Sequence, residues 1–302
     1  MKYFYIHPFK PQYFFPKGFN KHTLFLNFFN PYTKLGFVSW FLFRKLSLYR
    51  LFFTISNIED YIPETVIRKI IGKSAILAFN RGSTGPEQKI TALGIYNKKE
   101  FFVKYGQTKI AKANVSNEYH ILKQLEHLDT VPNVLKYQIG DDYVLLKTSI
   151  LKGERFNYKH LDKSDIDQLM TFSKQKINSN NISSDNLQKS FAHGDFCPWN
   201  MMSNNGKILV YDWEMAGEYS LGYDLFTYIF QTCFLLNPKI PLNNVVVENR
   251  EVIDYYFSNF KLKNWKPYLK EFANKKLTSK QLRGNVGVLN RYKNLLEYAK
   301  EF

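Results

Sequence analysis

Short apolar blocks punctuated by turn residues predict a strand-rich stretch from about Gly72, followed by a helical one. Ser74–Phe79 is a brief apolar run, and Lys89–Tyr96 and Glu100–Tyr105 are two more, joined by Asn97-Lys98-Lys99. A helix follows near Ser116–Leu128, with Glu118, Leu122 and Leu125 on one face. Val134–Ile139 and Tyr143–Thr148 read as a hairpin around Gly140-Asp141-Asp142. After Gly153 the period turns helical: Ser164-x-x-Asp167 reads as a helix start ahead of Ile166, Leu169 and Met170. Further helices are predicted at 224–236, 249–260 and 279–300. One strand pair precedes them, Asn200–Ser203 and Lys207–Tyr211, around Asn204-Asn205-Gly206. Strands followed by helices give an α+β arrangement of two lobes with a cleft between them. A chain of 302 residues is long enough for each lobe to bury its own core.

The first 58 residues follow different rules. They hold eight Lys or Arg and no acid, the first being Glu59, and 19 aromatics lie between Tyr3 and Phe53. Pro8, Pro11, Pro16 and Pro31 break the early part, whereas Leu35–Phe53 can form one helix. A basic, aromatic helix of this kind either lies on an anionic membrane surface or packs its aromatics onto the main domain. Lys34, Arg44, Lys45 and Arg50 do not gather on one helical face, which favours packing.

Charge adds a general preference. The formal net charge is +16, which favours anionic partners such as nucleotides or acidic lipid. Abundant Lys, Asn, Ile, Phe and Tyr also reflect a biased composition, so charge alone selects no function. No nucleic-acid-binding signature accompanies it, and no nucleic-acid partner is expected. Cys197 and Cys233 have no metal-ligand spacing and fit a reduced, cytoplasmic compartment. The opening MKYFYIHPFK lacks the apolar run of a signal peptide.

The chemistry concentrates in FAHGDFCPWNMMSNNGKILVYDWE, residues 191–214. Asp195 and Asn200 lie five apart, and Asp212 follows after the short hairpin. Phosphoryl transfer needs a base to orient the acceptor hydroxyl and oxygen ligands to hold Mg²⁺ on the phosphates. An Asp-x-x-x-x-Asn loop supplies a base and a metal ligand from one turn, and an Asp after a hairpin supplies a second ligand.

HGDFCPWN resembles the catalytic loop of the aminoglycoside phosphotransferase and choline kinase families, His-Gly-Asp-x-x-x-x-Asn, and VYDWE is similar to their Ile-Asp-Trp/Phe block. Phe196, Pro198 and Trp199 make the loop most similar to kinase-like proteins associated with bacterial polysaccharide loci. The resemblance implies a bilobal protein-kinase-like fold. Residues 1–60 would be an extension, 61–148 a nucleotide-binding N-lobe and 149–302 a helical C-lobe with the catalytic loop and acceptor site. It implies ATP and Mg²⁺ as cofactors, Asp195 as catalytic base, and Asn200 and Asp212 as Mg²⁺ ligands. His193 would support the loop, and Asp224 would brace it by accepting its backbone N–H groups; a helix-capping Asp224 is compatible with that role. Lys104, in the apolar strand FFVKY, looks like the family's phosphate-binding Lys. Glu118 would be its partner, since a carboxylate on an apolar helix face is costly unless paired.

Gly82 and Gly85 fit the family's nucleotide loop by position, although a plain turn has the same appearance, and Lys147, Thr148 and Ser149 fit the hinge that bonds adenine through its backbone. Glu214 faces the acceptor, the metal or solvent, and Cys197 reads as packing. Only eleven residues separate Asp212 from Asp224, which leaves no room for the activation loop and Ala-Pro-Glu block of protein kinases; Gly194 stands where they carry Arg. The acceptor is therefore expected to be a small molecule or carbohydrate. Lys261, Lys263, Lys266, Lys270, Lys275 and Lys276 argue against a polycationic antibiotic, leaving a sugar or glycan intermediate, with membrane contact through residues 1–58 as a possible route to it. The alternative is a catalytically silent kinase-like binding protein.

Overall fold

The computed structural model describes residues 1–6, 11–17, 25, 28, 34–46, 54–178, 186–279 and 285–300. By contacts the chain divides into two compact units, Met1–Tyr119 with Pro132–Ile150, and His120–Val131 with Leu151–Phe302.

The first unit is built on an antiparallel sheet. Its strands are β1 (Tyr3–Ile6), β2 (Tyr13–Pro16), β3 (Thr54–Ile55), β4 (Ile76–Asn80), β5 (Lys89–Tyr96), β6 (Lys99–Gly106), β7 (Val134–Ile139) and β8 (Val144–Thr148), in the order β3-β1-β2-β4-β5-β6-β8-β7. Helices α1 (Lys34–Lys45), α2 (Glu64–Ile71) and α3 (Lys109–Gln124) accompany it. Pleating sends alternate residues to opposite faces. Ile90 and Ala92 of β5 and Phe101, Val103 and Tyr105 of β6 enter one core, which also holds Ile67, Ile70 and Ile71 of α2. Lys104 and Phe102 belong to the opposite face, and the register pairs them with Thr91 and Leu93. On that face Leu93 and Ala78 cluster with Phe4, Phe15 and Phe25, against which Phe28, Trp40 and Ile150 pack.

The boundary drawn at residue 60 does not follow this sheet. β1, β2 and β3 belong to it, β1 pairing with both β2 and β3 and β2 pairing with β4. A buried polar knot ties β1 to α2: the Tyr3 hydroxyl donates to Glu64 Oε1 at 2.5 Å, Arg68 donates to Tyr3 Oη at 2.9 Å, and Arg68 also pairs with Glu64. These strands escape a local reading because each is four residues or fewer and is stabilised by distant partners. The helix expected over Leu35–Phe53 occupies Lys34–Lys45; residues 47–53 lie outside those described.

In the second unit, β9 (Glu154–Arg155), β11 (Met201–Asn204) and β12 (Lys207–Val210) form one small sheet, and β10 (Lys189–Ala192) with β13 (Gly217–Ser220) another. The helices are α4 (Lys163–Ser173), a continuous run of α5 (Tyr223–Phe226), a π-helical turn (Thr227–Gln231) and α6 (Thr232–Leu236), then α7 (Leu242–Asn259), α8 (Lys266–Thr278) and α9 (Val286–Lys300). Sequence patterning misses α8, whose apolar face (Tyr268, Leu269, Phe272, Ala273) is diluted by lysines. The start of α4 also moves: Asp162, not Ser164, is the cap, in a reciprocal capping box with Asp165. Trp213 is fully buried between Phe191, stacked at 5.9 Å, and the edges of Phe172 and His193, at 5.3 and 4.7 Å.

Asp162→Ala removes the acceptor for the Asp165 N–H and should lower unfolding stability by about 1 kcal/mol in urea titrations. Ser164→Ala should leave the midpoint unchanged.

Candidate active site

β10 ends at Ala192, opposite Gly217, and the chain then enters the loop His193–Asn200. Gly194 adopts φ +87°, and a Cβ there would lie 2.5 Å from the Met215 carbonyl oxygen, so only glycine fits. Asp224 does not cap its helix. Its buried carboxylate accepts the backbone N–H of His193 at 2.6 Å and of Gly194 at 3.0 Å. Burial pushes its pKa up, opposed by His193 and those two backbone donors. The fully buried His193 ring spans the loop: Nδ1 accepts the Asp195 N–H at 3.2 Å, which leaves Nε2 to donate to the Tyr211 carbonyl at 2.9 Å.

Asp195 is half-buried, and both of its carboxylate oxygens are held. Oδ2 accepts from Asn200 Nδ2 at 2.9 Å, with Trp199 Nε1 at 3.5 Å. Oδ1 accepts from Gln231 Nε2 at 2.7 Å, with the Cys197 thiol at 3.7 Å. Cys197 is buried, and burial first, then Asp195, raises its pKa well above the ordinary thiol value, which disfavours the thiolate. Gln231 in turn accepts from Lys276 Nζ at 2.6 Å. Neither Gln231 nor Lys276 is predicted from sequence as part of this site. They lie 36 and 81 residues beyond Asp195, in helices whose docking no local pattern encodes.

Hairpin register sets the ligand side. Met201 pairs with Val210, and one step outward the Tyr211 N–H bonds the Asn200 carbonyl at 3.0 Å. Asn200 and Asp212 are thereby delivered to the same open end of the β11–β12 hairpin. The Asn200 amide nitrogen is committed to Asp195, so its Oδ1 is the atom available to a cation. Asp212 has φ +69°, a left-handed conformation uncommon for a non-glycine residue. Its carboxylate and that of Glu214 approach within 4.8 Å, close enough to share one cation. An all-oxygen donor set suits a hard divalent ion.

In the first unit, Lys104 Nζ pairs with Glu118 Oε2 at 2.5 Å, and both side chains are buried. Gly82 has φ +73° and a Cβ there would clash with the Lys89 carbonyl, but its N–H is bonded to Asn80 Oδ1 at 2.9 Å. The Gly82 N–H is thus engaged within its own turn by Asn80. Gly85, at φ +156°, has open space where a Cβ would stand. Lys147 and Thr148 are the last two residues of β8, paired with both β6 and β7, and the Ser149 N–H bonds the Asn133 carbonyl at 2.8 Å. Ladder pairing thus runs through Lys147 and Thr148, two residues of the segment expected to be the hinge. The Lys147 side chain lies over Phe101 at 4.0 Å, on the face opposite Lys104, where burial and then Lys136 lower its pKa.

Comparison with known proteins gives the fold its name. Residues 165–239, about a quarter of the chain, match the phosphotransferase enzyme family. The crystal structure of aminoglycoside phosphotransferase APH(4)-Ia aligns with a TM-score of 0.52 at 11% identity, over 80% of this chain and 99% of that one. The chain has the kinase-like fold of the aminoglycoside phosphotransferases. Amicoumacin kinase hAmiN, in complex with AMP-PNP, Ca²⁺ and Ami, aligns at 0.51 and 12% identity over 80% and 95%. A thermostable mutant of APH(4)-Ia in ternary complex with ADP and hygromycin B aligns at 0.50 and 10% identity over 79% and 97%. No curated protein matches the sequence. The expected α+β, kinase-like fold is present; these identities speak to fold alone.

Asp224→Ala strands two buried backbone donors at once. It should cost about 2–4 kcal/mol in chemical denaturation, well beyond an exposed-site control such as Asp141→Ala.

Proposed function

We propose that this protein is an ATP-dependent phosphotransferase that phosphorylates a hydroxyl group of a small molecule, a sugar or glycan intermediate. The observation that carries the reading is Asp195. Its carboxylate is half-buried, held on both oxygens, and set in one turn with Asn200 beside the hairpin end that bears Asp212.

Asp195 acts as the base. It accepts the proton of the acceptor hydroxyl as that oxygen bonds the γ-phosphorus and the bond to the ADP oxygen breaks. Fixing both carboxylate oxygens limits rotation of the group and so sets the direction of proton transfer. Asn200 Oδ1, Asp212 and Glu214 are the ligands for Mg²⁺, which when bound neutralises charge on the phosphate oxygens. Lys104 contacts the α- and β-phosphates, its ammonium oriented by Glu118. Asp224 and His193 keep the loop backbone in place.

The acceptor class rests on charge. Lys276 stands one amide away from Asp195, and the chain carries +16, so a polycationic acceptor is disfavoured against a neutral or anionic one. We further propose that the enzyme works in the cytoplasm against an anionic membrane surface. Helix α1 exposes Leu35, Phe37, Val38, Phe41 and Leu42, with Leu46 just beyond, in an N-terminal segment without acids before Glu59. Among the described residues no helix is long and apolar enough to cross a membrane.

Phosphate transfer from Mg·ATP to a panel of sugars and amino alcohols tests the chemistry. Asp195→Ala should lower the rate by about 10²–10⁴-fold with ATP affinity little changed. Turnover by that variant equal to the parent would remove Asp195 as base, and no turnover by the parent would favour the silent binding protein. Flotation with phosphatidylserine-containing liposomes tests the surface: replacing Phe37 and Phe41 with Asp should abolish binding, and unaltered binding would exclude α1 as the contact.

A further inference from the structure

Gln231 and Lys276 have no place in the loop-and-hairpin chemistry, yet they form a buried polar chain that ends on Asp195. Gln231 lies in the π-helical turn Thr227–Gln231 and Lys276 on α8; they are 6% and 2% exposed. A glutamine amide has two chemically different ends of nearly equal shape. Either can face a given neighbour, and the neighbours decide which does. Lys276 can only donate, so its contact at 2.6 Å requires the Gln231 oxygen on that side. The Gln231 nitrogen must then face Asp195 Oδ1, where it donates at 2.7 Å. The reverse orientation would set the amide oxygen against the carboxylate and the amide nitrogen against the Lys276 donor, opposing like groups at both ends.

Asn200 fixes the other carboxylate oxygen. The planar carboxylate is thus held from two sides, and one of the two holds depends on a lysine that touches neither Asp195 nor any residue assigned to the metal. Lys276 itself is secured by the ring of Tyr223 at 4.9 Å and that of Phe272 at 5.5 Å. Burial lowers its pKa, while Asp195, Cys197 and Asp224 raise it.

We propose that Lys276 and Gln231 are positioning residues: Lys276 sets the orientation of the Gln231 amide, and the amide locks the Asp195 carboxylate in the rotamer that receives the acceptor proton. The proposal rests on the reading of Asp195 as base, and its test separates the two. The fully folded chain is assayed for Mg·ATP turnover with water and the sugar panel as acceptors.

Lys276→Met and Gln231→Leu should each lower kcat by about 10- to 100-fold with KM for ATP unchanged. The double variant should be no worse than either single one, because both break the same chain. Lys276→Gln, a neutral donor of similar reach, should recover most of the loss. Thermal melting confirms that each variant is folded. If Asp195→Asn abolishes turnover while folded Lys276→Met and Gln231→Leu match the parent, the positioning role alone is overturned. If Asp195→Asn keeps parental turnover, the base assignment fails and takes the positioning role with it. Lys276→Gln no better than Lys276→Met also overturns it. Crystal structures give a readout independent of turnover: Asp195 should leave its Gln231 contact in Lys276→Met and keep it in Lys276→Gln, and an unmoved pair in Lys276→Met is a refutation.

Discussion

A buried carboxylate that accepts two backbone N–H groups from one loop is the constraint on which the second unit turns. Asp224 is costly to bury, and the loop His193–Asn200 compensates it by presenting the His193 and Gly194 N–H groups. That arrangement requires Gly194 at positive φ, pressed against the Met215 carbonyl. It aims the Asp195 side chain toward Asn200 and Gln231, and lets the His193 ring reach the Tyr211 carbonyl across the hairpin. The loop and the start of the helix 30 residues downstream are therefore one mechanical element.

The first unit shows the same economy with a cation. Lys104 is almost fully buried in the middle of a sheet and is tolerable there because Glu118 meets it at 2.5 Å. Its direction follows from pleating alone: Phe101, Val103 and Tyr105 occupy the other face, so Lys104 cannot. The N-terminal aromatics Phe4, Phe15 and Phe25 help to cover the sheet face to which Lys104 belongs, which makes the segment part of this unit's core.

Some of this was legible in the chain. Hairpins announced themselves through Asn97-Lys98-Lys99 and Asn204-Asn205-Gly206, where Asn97, Lys98 and Asn205 take positive φ and Gly206 follows suit. The Glu118 position on an apolar helix face demanded a cation, and Lys104 was the candidate in the neighbouring apolar strand. Asp195, Asn200 and Asp212 stood out because three polar groups at fixed spacing between apolar strands need a reason to be there. The hinge was less legible. Lys147 and Thr148 end the predicted strand of the Tyr143–Thr148 hairpin and pair with β7 as expected, but both also pair with β6, a partner far upstream that no window of sequence contains.

By itself, then, the sequence determined most local elements, their turns, and the polar groups Asp195, Asn200 and Asp212 on which the proposed chemistry rests, because turn chemistry, pleat and residue type act over a few residues. Tertiary structure alone decided that β1 to β3 complete the sheet and that Gln231 and Lys276 stand behind Asp195. Those outcomes depend on packing between segments tens of residues apart, where burial forces polar groups to find partners that composition and spacing do not name.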